Sequence, residues 1–377
     1  GDIPPLVALD LDCCNMFGSL EWPSIRASVG RHFPDIQTWT LWAHQQPAET
    51  LLPGGDTAAT DRGAEQGDPF GTAQSVLTLG DARSQAHTYL RAYQQNFAAS
   101  PGQGVCDEWF VDDGQALVPP ALVEPFLRCL DRALAEVGAT RGEGPEVKST
   151  ARLLCPLPLT DTVSGWDTEY VRRTCKVKAA NSASEVLGAT LGDKVAATTN
   201  AKKVVKKVAE LRHCLAGLDH AATELVLTRR CADVAKLGYT LRCSGDRLDK
   251  DVLEEFDKDL RSSLETTLGG SLRDTAWWQA STGVRSGGLG LREAVAVALP
   301  AVLASRITSR PLAMEMAAHA AAAGLVTVDQ FTAAYDQRTR DAFLRLRADL
   351  PDEVADELKQ VAEDGTAAAA ARWQTLQ

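Results

Sequence analysis

Apolar and polar residues follow two different rhythms along this chain, and the change-over falls near Ser184. Before it, short apolar runs bounded by Gly, Pro and Asp predict strands mixed with helices. Pro5 to Asp12, ending LVALDLD, predicts a strand that closes on carboxylates. Gly18 to Val29 predicts a helix that breaks at His32-Phe33-Pro34, with Trp39 to Ala43 beyond it. The polar stretch Pro47 to Asp68 holds one short predicted strand at Thr50-Leu51-Leu52. Asp68 is a good N-cap and Pro69 suits a first helical position, so a helix is expected from there towards Phe97. Cys106 to Val118 predicts two short strands around an Asp113-Gly114 turn. Leu122, Phe126, Leu127, Leu130 and Leu134 keep a helical period, and Glu146 to Leu154 predicts another strand. The order over residues 1–160 is therefore β-α-α-β-β-α-β.

After Ser184 nearly everything has helical periodicity. Ala201 to Leu215 is the clearest amphipathic helix, with Lys202, Lys203, Lys206 and Lys207 on one face. Val204, Val205, Val208, Leu211 and Leu215 fall on the other. A further helix is expected over Ala221 to Leu241. A Gly287-Gly288-Leu289-Gly290 loop precedes an apolar helix from Glu293 to Ser305. The Ala-rich runs 317–323 and 367–371 suit plain helices, and no internal repeat stands out.

Composition narrows the class. The chain has 377 residues, enough for two or three packed units, with 45 % hydrophobic and 24 % charged residues. No apolar run reaches the roughly 20 residues of a membrane span, and no signal peptide precedes Gly1. Nine cysteines without a C-x-x-C pair point to a reduced intracellular compartment, nucleus or cytoplasm, and against structural zinc. The six histidines show no ligand spacing. The net charge of −11 argues against a general nucleic-acid coat protein, yet Thr199 to Arg247 carries ten Lys/Arg against five Asp/Glu.

Three clusters carry chemistry. Asp10 and Asp12, two apart on a strand, point to one face. Alone, they read most simply as a solvated strand end. The segment Arg62-Gly63-Ala64-Glu65-Gln66-Gly67-Asp68-Pro69-Phe70-Gly71 reads as a Gly-rich loop with a helix cap. Such a loop also presents backbone N–H groups to phosphate. In Phe110-Val111-Asp112-Asp113-Gly114, turn chemistry explains Asp113-Gly114 but not Asp112. Adjacent carboxylates repel, and a divalent cation would account for both.

The series strand-Asp, QGDP loop and helix, Asp-Asp hairpin, then strand with lysine resembles the palm of reverse transcriptases, in particular those of non-LTR retrotransposons. VALDLDCCNMFGS is similar to their first palm motif, RGAEQGDPFG to their R-G-x-x-Q-G-D-P-L-G, and FVDD to their Y/F-x-D-D hairpin. EVKST resembles the following lysine motif. Val186-Leu187-Gly188 and TGVRSGGLGLR are similar to elements at and after the thumb. Met16 and Gly18 depart from the Ala and Asn usual beside the aromatic.

The resemblance implies an α+β fold: a right-hand polymerase palm, an antiparallel sheet with packed helices, followed by an all-α thumb and helical C-terminal extension. The expected divisions are palm with partial fingers over 1–160, connection and thumb over 161–265, and extension over 266–377. It implies RNA-directed DNA polymerase activity with two Mg²⁺ ions, Mn²⁺ being an alternative, on an RNA template, a DNA primer and dNTP. By resemblance, Asp12, Asp112 and Asp113 are catalytic metal ligands, and Lys148 serves the pyrophosphate leaving group. Phe17 disfavours a ribose 2′-OH, Arg62, Gln66 and Gly67 belong to the substrate loop, and Lys202, Lys203, Lys206 and Lys207 face nucleic-acid phosphates. A strand within five residues of Gly1 leads to the expectation of a fragment without N-terminal fingers, weakly active or inactive alone. The competing expectation is a degenerate or domesticated module that binds nucleic acid or protein without catalysis. A viral-type RNA-directed RNA polymerase fits less well, since it usually carries G-D-D and lacks QGDP.

Overall fold

The computed structural model describes residues 4–64, 68–97, 104–155, 163 and 165–348. Its chain is mixed α and β, mostly helical, with a small mixed sheet. It divides into two compact units, 1–182 with 318–327, and 183–317 with 328–377.

The first unit opens with β1 (Leu6–Cys14), where alternation sends Val7, Leu9, Leu11 and Cys13 to one buried face. Ala8, Asp10 and Asp12 take the other. Two helices follow, α1 (Met16–Ser19) and α2 (Trp22–His32), where one was expected. Pro23, at the N-terminal end of α2, suits a helix start and not an interior. Next come α3 (Gln37–Ala43) and a two-stranded ribbon of β2 (Ala48–Leu51) and β3 (Thr57–Thr60). The long α4 (Gly71–Phe97) begins two residues later than expected, because Asp68 Oδ1 accepts from the Phe70 N–H within a preceding turn.

β4 (Cys106–Phe110) and β5 (Asp113–Val118) form the hairpin, and α5 (Val123–Glu136) packs on α4. α5 buries Val123, Phe126, Leu127, Leu130, Ala133 and Leu134, a single stripe of helical spacing. Each large apolar side chain so buried contributes roughly 1.5–3 kcal/mol. β6 (Thr140–Arg141), β7 (Thr150–Leu154), α6 (Glu169–Thr174) and β8 (Lys176–Val177) complete the unit. The strand expected from Glu146 starts only at Thr150, since 144–146 is a 3₁₀ turn.

The sheet runs β4-β5-β1-β7-β8, with β6 also paired to β1. It is antiparallel except for β7 and β8, so the expected wholly antiparallel sheet is corrected at that edge. The apolar core lies under it, among Leu9, Leu11, Ala116 and Val118 from the sheet and Leu79, Ala86, Phe126 and Leu130 from α4 and α5.

The second unit starts with the small ribbon of β9 (Ser184–Val186) and β10 (Ala189–Leu191). α7 (Lys194–Ala216) begins earlier than its apolar period indicates, because the Asp193 carboxylate accepts the Ala196 N–H. The single helix expected over Ala221 to Leu241 is two, α8 (Ala221–Cys231) and α9 (Val234–Ser244). Arg212 Nε donates to the freed Ala232 carbonyl at the break, and Asp233 caps α9 through Ala235 N–H. α10 (Lys250–Leu268) buries Val252, Leu253, Phe256, Leu260 and Leu264, and stops at Gly269 in the left-handed region. α11 (Asp274–Ser281), α12 (Ala294–Ala322) and α13 (Val328–Ala348) follow. The expected helices at 293–305 and 317–323 are parts of one, α12, which tolerates Pro300 and Pro311. The Ala-rich run 367–371 lies outside the described residues. Among the described residues, no helix is long and apolar enough to cross a membrane.

Candidate active site

β1 and β5 run antiparallel in a register that places Asp12 directly opposite Asp113. Side chains so placed point to one face, with Cβ atoms about 4.5–5.5 Å apart, and like charges there are destabilising. Burial, then the neighbouring Asp112 and Asp12, push the Asp113 carboxyl up from its ordinary value, against the pull of Lys148. Asp12 and Asp113 thus meet at one end of the sheet, on the face opposite the core, and Asp112 follows in the adjoining turn.

The hairpin turn is not where the sequence puts it. Phe110 pairs with Asp113, so the two central residues are Val111 and Asp112, and Asp113 opens β5. Val111 has φ +60°, in the region that favours glycine and strains a β-branched side chain. Gly114 serves a different need. A Cβ there would lie 2.7 Å from the Trp109 ring. The Asp-Gly pair reflects this close approach and not a turn.

Asp10 and Asp12 share a face but not an environment. Asp10 accepts hydrogen bonds from Thr150 Oγ1 (2.6 Å) and Arg152 Nη2 (2.5 Å), Arg152 being buried. Asp12 Oδ1 is buried without a hydrogen-bond partner. Lys148 Nζ lies 3.5 Å from that oxygen, in ion-pair range. The Asp12 N–H donates to Ser149 Oγ (3.1 Å), an interaction that sequence reading missed. Lys148 thereby stands in the loop before β7, one residue from a buried serine that ties this loop to β1.

Two segments far apart in sequence also come together. The Ala64 N–H donates to the Phe17 carbonyl (2.7 Å), and the Gly63 N–H to that of Leu20 (2.7 Å). Gly63 has φ +80°, and a Cβ on it would lie 2.5 Å from Phe17 O. Only glycine allows this approach. Phe17, half-buried in α1, therefore stands against the Arg62-Gly63-Ala64 segment. Arg62 is exposed, 3.6 Å from Asp61. Gln66 and Gly67 lie outside the described residues.

Cys13, buried behind Asp12, has its thiol pushed up to about 12, chiefly by burial, and is a packing residue. In the second unit Lys202, Lys203, Lys206 and Lys207 are all exposed on α7, as the periodicity predicts. Lys206 lies 4.0 Å from Glu210.

The carboxylates suit a hard divalent cation in chemistry: oxygen donors only, one oxygen lacking a hydrogen-bond donor, and mutual repulsion that a cation would relieve. Yet among the described residues no group of three or more His, Cys, Asp or Glu side chains is arranged to hold an ion. Comparison with protein-family models and with curated proteins finds no match for this chain.

Proposed function

We propose that the chain is an RNA-directed DNA polymerase domain of retroelement type, transferring a nucleotide from dNTP to a primer 3′-OH. The observation that carries this reading is the pairing of Asp12 with Asp113 beside the strained Val111-Asp112 turn, with Lys148 3.5 Å from Asp12. Four motifs that follow one another along the sequence in polymerase order, three of them at one sheet end, are hard to explain by turn and cap chemistry alone. Asp12, Asp112 and Asp113 would hold Mg²⁺, which when bound activates the primer hydroxyl and neutralises charge on the triphosphate.

The protein's own groups have separable tasks. The Ser149 bond to the Asp12 N–H fixes the end of β1. Lys148, two-thirds exposed, is free to leave Asp12 and offer its Nζ proton to a departing pyrophosphate. Phe17, anchored through its carbonyl to Ala64, walls the sugar side of the substrate loop. Gln66 and Gly67 keep their assigned roles by sequence resemblance alone. Lys202, Lys203, Lys206 and Lys207 offer four exposed positive charges for a phosphate backbone.

Primer extension on an RNA template with Mg²⁺ tests the reading. Slow extension is expected from the chain, falling about 100-fold or more in Asp112→Asn. Equal rates for the two proteins would sink the site assignment.

A second reading, a module that binds nucleic acid or protein without catalysis, is favoured by one observation. The three carboxylates are not arranged to hold an ion, and Lys148 already partners one of them. Under it, the purified chain retains template–primer duplex but extends nothing at any Mg²⁺ concentration.

A further inference from the structure

β4 is an edge strand, bonded through its backbone to β5 alone in the sheet order, yet it leads directly into the turn that bears Asp112. An edge strand of five residues is poorly restrained by its ladder. Its side chains supply the missing restraint. Asp107 pairs with Ala116, which pairs with Leu9, so it lies on the core face of the sheet and not with the three aspartates. It is 3 % exposed.

There its carboxylate accepts from Arg83 Nε (2.9 Å), His87 Nε2 (2.7 Å) and Trp109 Nε1 (2.8 Å). Arg83 Nη2 also donates to the Asp107 carbonyl. Arg83 and His87 stand one turn apart on α4 and grip the strand at one point. Burial raises the Asp107 carboxyl, but the bonds from His87, Arg83 and Trp109 outweigh it and hold the group below its ordinary range.

Trp109 passes the restraint on. It lies two residues after Asp107 on the same face, and its ring covers Gly114 so closely that no Cβ would fit. Gly114 is the neighbour of Asp113. A chain of direct contacts thus runs from α4 through Asp107 and Trp109 to the backbone beside the acidic turn. Among the described residues β4 has one further ion pair, the half-buried Glu108 with the exposed His319 at 2.8 Å.

We infer that Asp107, through Arg83, His87 and Trp109, is a positioning residue that holds the Val111–Asp113 turn against Asp12. The geometry stands by itself, whereas the consequence for catalysis rests on the polymerase reading. The cluster forms part of no motif that suggested that reading.

Two measurements on the full chain test it: hydrogen exchange of residues 106–118, and steady-state primer extension with Mg²⁺. Asp107→Asn removes the charge and keeps the shape, and Trp109→Phe removes one N–H donor and keeps most of the ring. Expected in Asp107→Asn is roughly tenfold faster exchange at Val111 to Gly114, with the β1–β7 amides unchanged. The kcat should fall about tenfold or more while the KM for dNTP stays within about twofold. His87→Gln, which keeps a side-chain N–H at similar reach, should preserve protection and kcat that His87→Leu loses. Trp109→Phe separates local from global effects if Asp107→Asn melts the whole unit. Unchanged turn exchange in both variants, or uniform loosening of the unit in both, overturns the inference. Absence of extension by the unmodified chain counts against the polymerase reading alone, and the exchange data still decide whether Asp107 positions the turn.

Discussion

Asp10 accepts hydrogen bonds from Thr150 and the buried Arg152, whereas the Asp12 carboxylate is met by the exposed Lys148 at 3.5 Å. Neighbours on one strand face therefore have opposite energetic roles. Removing the charge of Asp10 strands a buried guanidinium, which costs about 3 kcal/mol or more. Asp10→Asn should thus lower the urea midpoint of the first unit clearly. Asp12→Asn, which relieves repulsion with Asp113, should leave the midpoint unchanged or raise it while abolishing extension. The reverse ranking in denaturant melts would show that the two roles had been exchanged. Nothing local in LDLD distinguishes the pair, because the distinction lies in Thr150, Ser149 and Arg152, more than 130 residues away in sequence.

At the level of elements, α2 and α3 are joined by His44, which follows α3 and stacks on Trp22 of α2 with ring centroids 4.8 Å apart. Burial, then the nearby Arg26, lower the His44 imidazole from 6.5 to about 4. The folded form therefore refuses a proton that the unfolded chain accepts. Stability is fully present above about pH 6.5 and is lost as pH falls towards about 4, by roughly 3 kcal/mol in all. His44→Phe keeps the stack and cannot titrate. Its denaturation midpoint should fall less between pH 6.5 and 4 than that of the unmodified chain, and parallel pH profiles would rule the mechanism out. Elements with a strong period, such as α5 and most of α7, were legible from spacing alone. The break between α8 and α9 was not, because it depends on Arg212 reaching the Ala232 carbonyl from another helix. The hairpin was legible as a pair of strands, but its turn was misplaced by the Asp-Gly signal. Gly114 answers to the Trp109 ring and Val111 bears the positive φ.

For the molecule as a whole, a net charge of −11 conceals the lysine face of α7. If that face meets phosphates, replacing Lys202, Lys203, Lys206 and Lys207 by Gln should weaken duplex binding at low salt. The slope of log K against log salt should shrink by about one for each phosphate that a lysine no longer neutralises. An unchanged slope would assign the face to solvent. By itself the sequence determined what local chemistry controls: the strand ending in carboxylates, the amphipathic helices, the long helix that follows Asp68, and the order of the acidic, glycine-rich and lysine-bearing motifs. Only the tertiary structure decided which aspartate stays available, where the turn falls, and that Gly63 must pass within touching distance of Phe17. It alone brought Asp107 under the sheet beside Arg83 and His87. The physical reason is one of range. Periodicity and capping act over a few residues, whereas register, close approach and the pairing of buried charges are settled by partners far along the chain.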